Sequence, residues 1–184
     1  HATPATCVTT ASTTSATCNG DGDGMVDVST GANEIYRFWQ HLANAGLIEG
    51  TYSGVAGPLS NTDAVTTNTP NSRLGRGLWQ SYWQGVITST STDFYEGNYG
   101  NILTLGNDGS AAGTGDADAG ITTAAEMWGI DVKLDDGKPA YGRLVSRENR
   151  ADCVTSTTPA TAEYDLDNTS GIGTSSCILI FRNI

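Results

Sequence analysis

Basic residues are scarce in this chain: nine Lys and Arg stand against twenty Asp and Glu over 184 residues, a formal charge of −11. There is no basic cluster to engage phosphate, so nucleic acid and anionic membrane surfaces are excluded as expected partners. No apolar run reaches the length needed to cross a bilayer. The chain lacks G-x-S-x-G, H-E-x-x-H and a P-loop, and His1 and His41 are its only histidines, so the common hydrolase, zinc-protease and nucleotide-binding signatures are missing. No C-x-x-C occurs among the four cysteines, which argues against zinc. No signal peptide is visible, and a start at His1 without Met reads as processing or trimming.

What is present is Gly, Thr and Ser. Twenty-three glycines and an apolar content of 38% point to many turns and short strands in one α+β domain spanning 1–184. An even cysteine count in an acidic, Thr-rich chain favours disulfides in an oxidising compartment. Four cysteines allow three pairings. The sequential one, Cys7–Cys18 and Cys153–Cys177, is favoured because each closes a modest loop, contributing on the order of 3 kcal/mol by loop-closure entropy.

The densest chemistry lies in Asn19-Gly20-Asp21-Gly22-Asp23-Gly24-Met25-Val26-Asp27. Oxygen-bearing side chains on alternate residues, with Gly24 at the sharp turn and the Met25 carbonyl next, form the opening half of an EF-hand-like Ca2+ loop. The closing half departs from that pattern. Thr30 stands where a bidentate carboxylate is needed, and the next Glu is Glu34, four residues late. The expectation is a calcium loop closed by the first turn of the following helix. Asp116 and Asp118 offer a second, weaker cation site, although that stretch also reads as a solvated loop.

Residues 1–18 read as an irregular arm pinned by the first cysteine pair. Ile35, Phe38, Trp39 and Leu42 form a helical stripe within 32–45, with Gly46 as its stop and Leu47 and Ile48 packing back. Short aromatic runs from Gly77 to Leu105 read as antiparallel strands: Leu78-Trp79, Tyr82-Trp83, Val86-Ile87, Phe94-Tyr95 and Ile102-Leu103, the last two separated by Gly97–Asn101. Thr122 or Thr123 caps a second helix, with Glu126 three residues after Thr123 and Ala124, Met127, Trp128, Ile130 and Leu134 as its apolar members. Tyr141, Arg143 and Val145 alternate as a half-buried strand, and Cys177–Phe181 suits a buried one. Asp135-Asp136-Gly137 reads as turn chemistry.

Several strings then coincide in order: C-N-G-D-G-D-G at 18–24, N-E-x-x-R-F-W-Q-H-L-x-x-A-G-L-I at 33–48, N-Y-G-N at 98–101, E-x-W-x-I-D-x-K-x-D-D-G-K-P at 126–139, and Cys153 and Cys177 flanking A-E-Y-D-L at 162–166. Together they resemble the globular head of bacterial type IV pilin-like proteins and pseudopilins, over roughly 15–181. The resemblance implies an α+β head with an antiparallel sheet of about four strands, two short helices and long loops stapled by calcium and disulfides. It implies a structural filament subunit, of a type IV pilus or a type II secretion pseudopilus, located outside the cell or in the periplasm. Its partners would be other pilin-like subunits. Family members carry a long apolar N-terminal helix that this sequence does not contain; any membrane contact would run through that helix. The implied calcium ligands are Asp21, Asp23, Met25 by its carbonyl, and Glu34, with Asn19 and Asp27 beside them. Cys153–Cys177 matches the surface disulfide loop of pilins.

Two other classes compete with the non-enzymatic reading. Trp79, Tyr82 and Trp83 can form a stacking surface for sugar, as in a filament-tip adhesin or carbohydrate-binding module. His1, through its amino group and ring, together with His41 can chelate copper as in a copper monooxygenase, whereas His41 on its helix reads as a structural histidine.

Overall fold

The computed structural model describes residues 18–27, 34–56, 66–88, 93–108, 117–147, 152–167 and 175–184. Its elements are α1 (Glu34–Asn44), β1 (Leu78–Ile87), β2 (Gly97–Asp108), β3 (Ala117–Ala119), α2 (Ala124–Leu134), β4 (Leu144–Val145), a 3-10 turn (Pro159–Thr161) and β5 (Leu179–Arg182). The fold is α+β. Among the described residues the antiparallel sheet has five strands in the order β1-β2-β5-β4, with β3 pairing β2. The fifth strand was not expected, because three residues in a Gly/Asp/Ala stretch carry no periodicity.

The β1–β2 pair differs from the expected series of short strands. Leu78–Ile87 is one continuous strand, and Gly97–Asn101 belongs to β2 instead of separating two strands. Gly100 has φ +59°, and the ladder slips on either side of its partner Gly85, φ +70°. A paired irregularity of this kind is a bulge, which glycine permits inside a strand. Phe94 and Tyr95 are buried but not in a strand; Phe94 stands edge-on to Tyr99, 5.4 Å between ring centres.

Alternation places a core on each face of the sheet. On one face Leu105 and Leu179 pack with Met127, Leu144, Val154, Tyr164 and the Cys153–Cys177 disulfide, with Trp79 and Phe181 against them. On the other, Ile102, Ile178 and Ile180 pack with Phe94, Tyr99 and Val145, with Tyr82 against them. α2 is fixed at its start by a reciprocal cap: Thr123 Oγ1 accepts from the Glu126 N–H, and the Glu126 carboxylate accepts from the Thr123 N–H at 2.9 Å. Ala124 and Met127 are buried and Ile130 packs against the core, whereas Trp128 and Leu134 are exposed. The expected strand around Tyr141–Val145 shrinks to Leu144–Val145, and Tyr141 is exposed.

α1 also departs from the expected stripe. Its buried residues are Tyr36, Arg37, Trp39 and Gln40, while Ile35, Phe38 and Leu42 are half-buried. Arg37 Nη1 donates to Gln40 Oε1 at 2.9 Å, and Gln40 Nε2 donates to the Ser53 carbonyl. A Cβ at Gly54 would sit within 2.6 Å of both side chains. Two polar residues thus turn inward where they bond each other and clasp a loop that only glycine lets approach. Gly46, φ +71°, ends the helix as expected, but Leu47 is 71% exposed. Among the described residues no helix is long and apolar enough to cross a membrane.

Candidate metal centre and sheet groove

The acidic loop is shaped by its own side chains. The Asp23 N–H donates to Asp21 Oδ1 at 3.2 Å, and the Met25 N–H donates to Asp23 Oδ1 at 2.8 Å. These are Asx turns, and Gly22 and Gly24 supply the positive φ between them. Glu34, first residue of α1, reaches back: its Oε1 accepts from the Asp21 N–H at 2.8 Å. The Glu34 N–H in turn donates to the Asp27 carbonyl at 2.9 Å. A Cβ at Gly20 would overlap the Glu34 carboxylate, so a larger residue there would displace Glu34 from the position in which it closes the loop.

The result gathers Asp21, Asp23 and Glu34, with carboxylate oxygens within 4.8 Å of one another. Desolvation raises the Glu34 pKa; the N–H of Asp21 pulls it down, while the Asp21 and Asp23 charges push it up. Three oxygens at that separation, oriented by main-chain amides and repelling one another, match what a hard divalent cation coordinates. The late Glu34 therefore converges on the two aspartates despite its irregular spacing. The Asp27 carboxylate is not part of the group and enters through its main chain. Asn19 is exposed at the start of the loop, and Met25 meets it through its N–H.

One residue that the sequence did not single out holds the loop to the sheet. Asn101 on β2 donates from Nδ2 to the Gly24 carbonyl at 2.9 Å and accepts the Val26 N–H at 2.8 Å. Beside it the Trp83 N–H donates to the Val26 carbonyl at 2.7 Å. The only advance signal was Asn101 inside the N-Y-G-N string.

The remaining candidates separate. Cys153 and Cys177 form a disulfide with Cα atoms 5.1 Å apart. Cys18 is disulfide-bonded too, and Cys7 lies outside the described residues, as do the rest of the 1–18 arm, Asp116 and His1. Asp118, on β3, accepts Arg147 Nη1 on its main-chain carbonyl. His41 Nε2 is 2.8 Å from the Cys18 carbonyl, a structural tie between α1 and the loop. The aromatic patch divides between the two faces: Trp79 packs on Phe181 at 6.1 Å and Tyr82 packs into the opposite core, leaving Trp83 39% exposed.

A groove of about 1120 Å3 runs over the Trp79 face between the helices, lined by Phe38 and Leu42 of α1, Trp79, Leu103, Leu179 and Ile130 of α2. Leu47 and Leu74, 71% and 59% exposed, also line it. A second acidic group, Asp131, Asp135 and Asp136, is already committed to protein donors. Asp131 accepts the Tyr164 hydroxyl at 2.7 Å and the Gly137 N–H, and Asp135 accepts the N–H groups of Arg143 and Leu144. Comparison with protein-family models, with curated proteins and with solved structures finds no match.

Proposed function

We propose that this chain is a structural subunit of an extracellular or periplasmic filament, of the type IV pilus or type II secretion pseudopilus kind, with a head stapled by calcium and disulfides. The observation that carries the reading is the groove across the sheet. A protein that works alone rarely leaves so large an apolar channel open, and we assign it to the long apolar helix that members of the resembled family carry. Leu103 of β2 lines it. Leu103→Asp should fold, since the residue is only partly buried, but should place a charge where an apolar helix would sit, at a cost of several kcal/mol. Filaments sheared from cells expressing the protein should contain the wild-type chain and be depleted of the variant by an order of magnitude. A folded wild-type chain that never enters the sheared or periplasmic filament fraction rejects the reading.

The cation at Asp21, Asp23 and Glu34 is proposed as Ca2+, fastening the loop to α1. Calcium at about a hundredfold over its dissociation constant adds about 2.7 kcal/mol of stability. For a domain of this size that moves Tm by roughly 5–10 °C. EGTA should lower Tm by that amount and Asp23→Ala should abolish the difference; an unchanged melt on chelation would remove the metal from the account.

A further inference from the structure

Asn19-Gly20 is the only Asn-Gly step in the chain. It stands at the entry to the acidic loop, and both residues are exposed. Among the described residues neither the Asn19 side-chain amide nor the Gly20 N–H has a hydrogen-bond partner. A glycine nitrogen is unusually open to approach, since no Cβ shields it. The Gly20 nitrogen and Asn19 Cγ close a five-membered ring when they meet, so nucleophile and electrophile react within one molecule. The other asparagine steps are held back. Asn71 precedes Ser72, which is buried and whose N–H donates to the Gly77 carbonyl at 3.0 Å. The amides of Asn68 and Asn101 are bonded to the Val55 and Gly24 carbonyls, and each is followed by a β-branched residue that crowds the attack.

We infer that Asn19 is a site of spontaneous deamidation and isoaspartate formation, which rebuilds the entry to the acidic loop as the protein ages. The Gly20 nitrogen bonds to Asn19 Cγ, the Cγ–Nδ2 bond breaks, and the amide proton leaves with Nδ2 as ammonia. Water then opens the succinimide. Opening at Cγ gives aspartate; opening at the main-chain carbonyl carbon gives isoaspartate, with the chain running through Cβ and Cγ. Either product adds a negative charge two residues from Asp21. Isoaspartate also lengthens the main chain by a carbon, between the Cys18 carbonyl at His41 Nε2 and the Asp21 N–H that donates to Glu34. It therefore disturbs both ties that hold the loop to α1. The glycine that makes Asn19 labile is the one that leaves room for the Glu34 carboxylate, so lability and loop closure share a residue. None of this depends on the filament reading or on a bound cation.

Peptide mapping by mass spectrometry tests it, on the full chain in EGTA at mildly alkaline pH, folded and unfolded in urea. In the folded chain Asn19 should turn from amide to acid at a rate within about tenfold of the unfolded chain, a barrier difference below about 1.4 kcal/mol. Asn71 should convert at least about tenfold more slowly than Asn19 in the folded chain. Isoaspartyl methyltransferase should label the product, because the succinimide route yields isoaspartate whereas direct hydrolysis yields aspartate alone. Asn19→Gln, which would need a six-membered ring, should suppress the label at this position. The isoaspartyl fraction, isolated by chromatography, should melt below the unmodified chain in EGTA. An Asn19 that stays intact in the folded chain while the unfolded chain converts, aspartate without isoaspartate, or an isoaspartyl fraction that melts with the unmodified chain overturns it.

Discussion

Replacing Cys153 and Cys177 together by alanine is expected to cost about 3 kcal/mol from released loop-closure entropy alone. The bridge spans 24 positions in sequence, long enough that the unfolded chain gains substantial freedom when it is cut. The native state loses as well. Both cysteines are fully buried with Met127, Leu144, Val154 and Tyr164, and the Cys153 sulfur is 3.1 Å from Ser146 Oγ. Alanine leaves small voids there, which add to the cost. Against a typical total of about 5–15 kcal/mol, the double variant should lose a large fraction of its stability. Its Tm should fall by roughly 6–12 °C for a domain of this size. Urea unfolding of wild type and variant at fixed pH measures it, with both unreduced; a difference below about 1 kcal/mol would mean that the cross-link contributes little to the folded protein. A Cys153–Cys177 bridge also fits an oxidising compartment.

The parts of this fold that were legible in the sequence are those in which one local interaction fixes the outcome. The Thr123–Glu126 cap needs only four consecutive residues, and the helix starts where they place it. The apolar run ending at Phe181 has no stable alternative to a buried strand, and β5 is that strand. Asp21 and Asp23 were legible because glycines flank them, and Glu34 because it is the next Glu after the loop. What escaped depends on partners far along the chain. Gly97–Asn101 has the composition of a turn, yet it becomes strand because Gly85 opposite accommodates the slip. Arg37 and Gln40 look like a solvated helix face until the loop at Ser53–Gly54 arrives to pair with them. Asn101 is an ordinary polar strand residue except that the acidic loop crosses beside it. Asp131 is an acidic residue on a helix, yet it is fully buried, because the Tyr164 hydroxyl, 33 positions away, donates to it.

Asp131 should make the stability of the protein fall as pH rises from about 4 to beyond 6, and Asp131→Asn should remove that slope. The carboxyl is shielded from water, which lifts its pKa to about 6; the Tyr164 hydroxyl and the Gly137 N–H pull it back, and the charges of Asp136 and Asp135 push it higher. Burial and the hydrogen bond to Asp131 likewise push the Tyr164 phenol upward, so Tyr164 remains a donor throughout. In the unfolded chain the same carboxyl releases its proton near 3.8. Between these values the folded state holds the proton more tightly, so this group's contribution is complete below about 4 and is lost as pH climbs through 6. With solvent screening allowed for, the loss is roughly 1–3 kcal/mol. Asparagine imitates the protonated acid: its carbonyl accepts from one neighbour and its amide donates to the Tyr164 oxygen, so most of the buried network survives. The two proteins should therefore be nearly equal at pH 4, and the variant more stable by that margin at pH 8. All other carboxylates are common to both, so the difference isolates Asp131. Alanine does the opposite, stranding the Tyr164 hydroxyl and the Gly137 N–H at about 1–3 kcal/mol for each unsatisfied group. Urea unfolding of the three proteins at both pH values separates the contributions: a wild-type-to-asparagine difference that does not change with pH would mean that folding does not raise the pKa of Asp131.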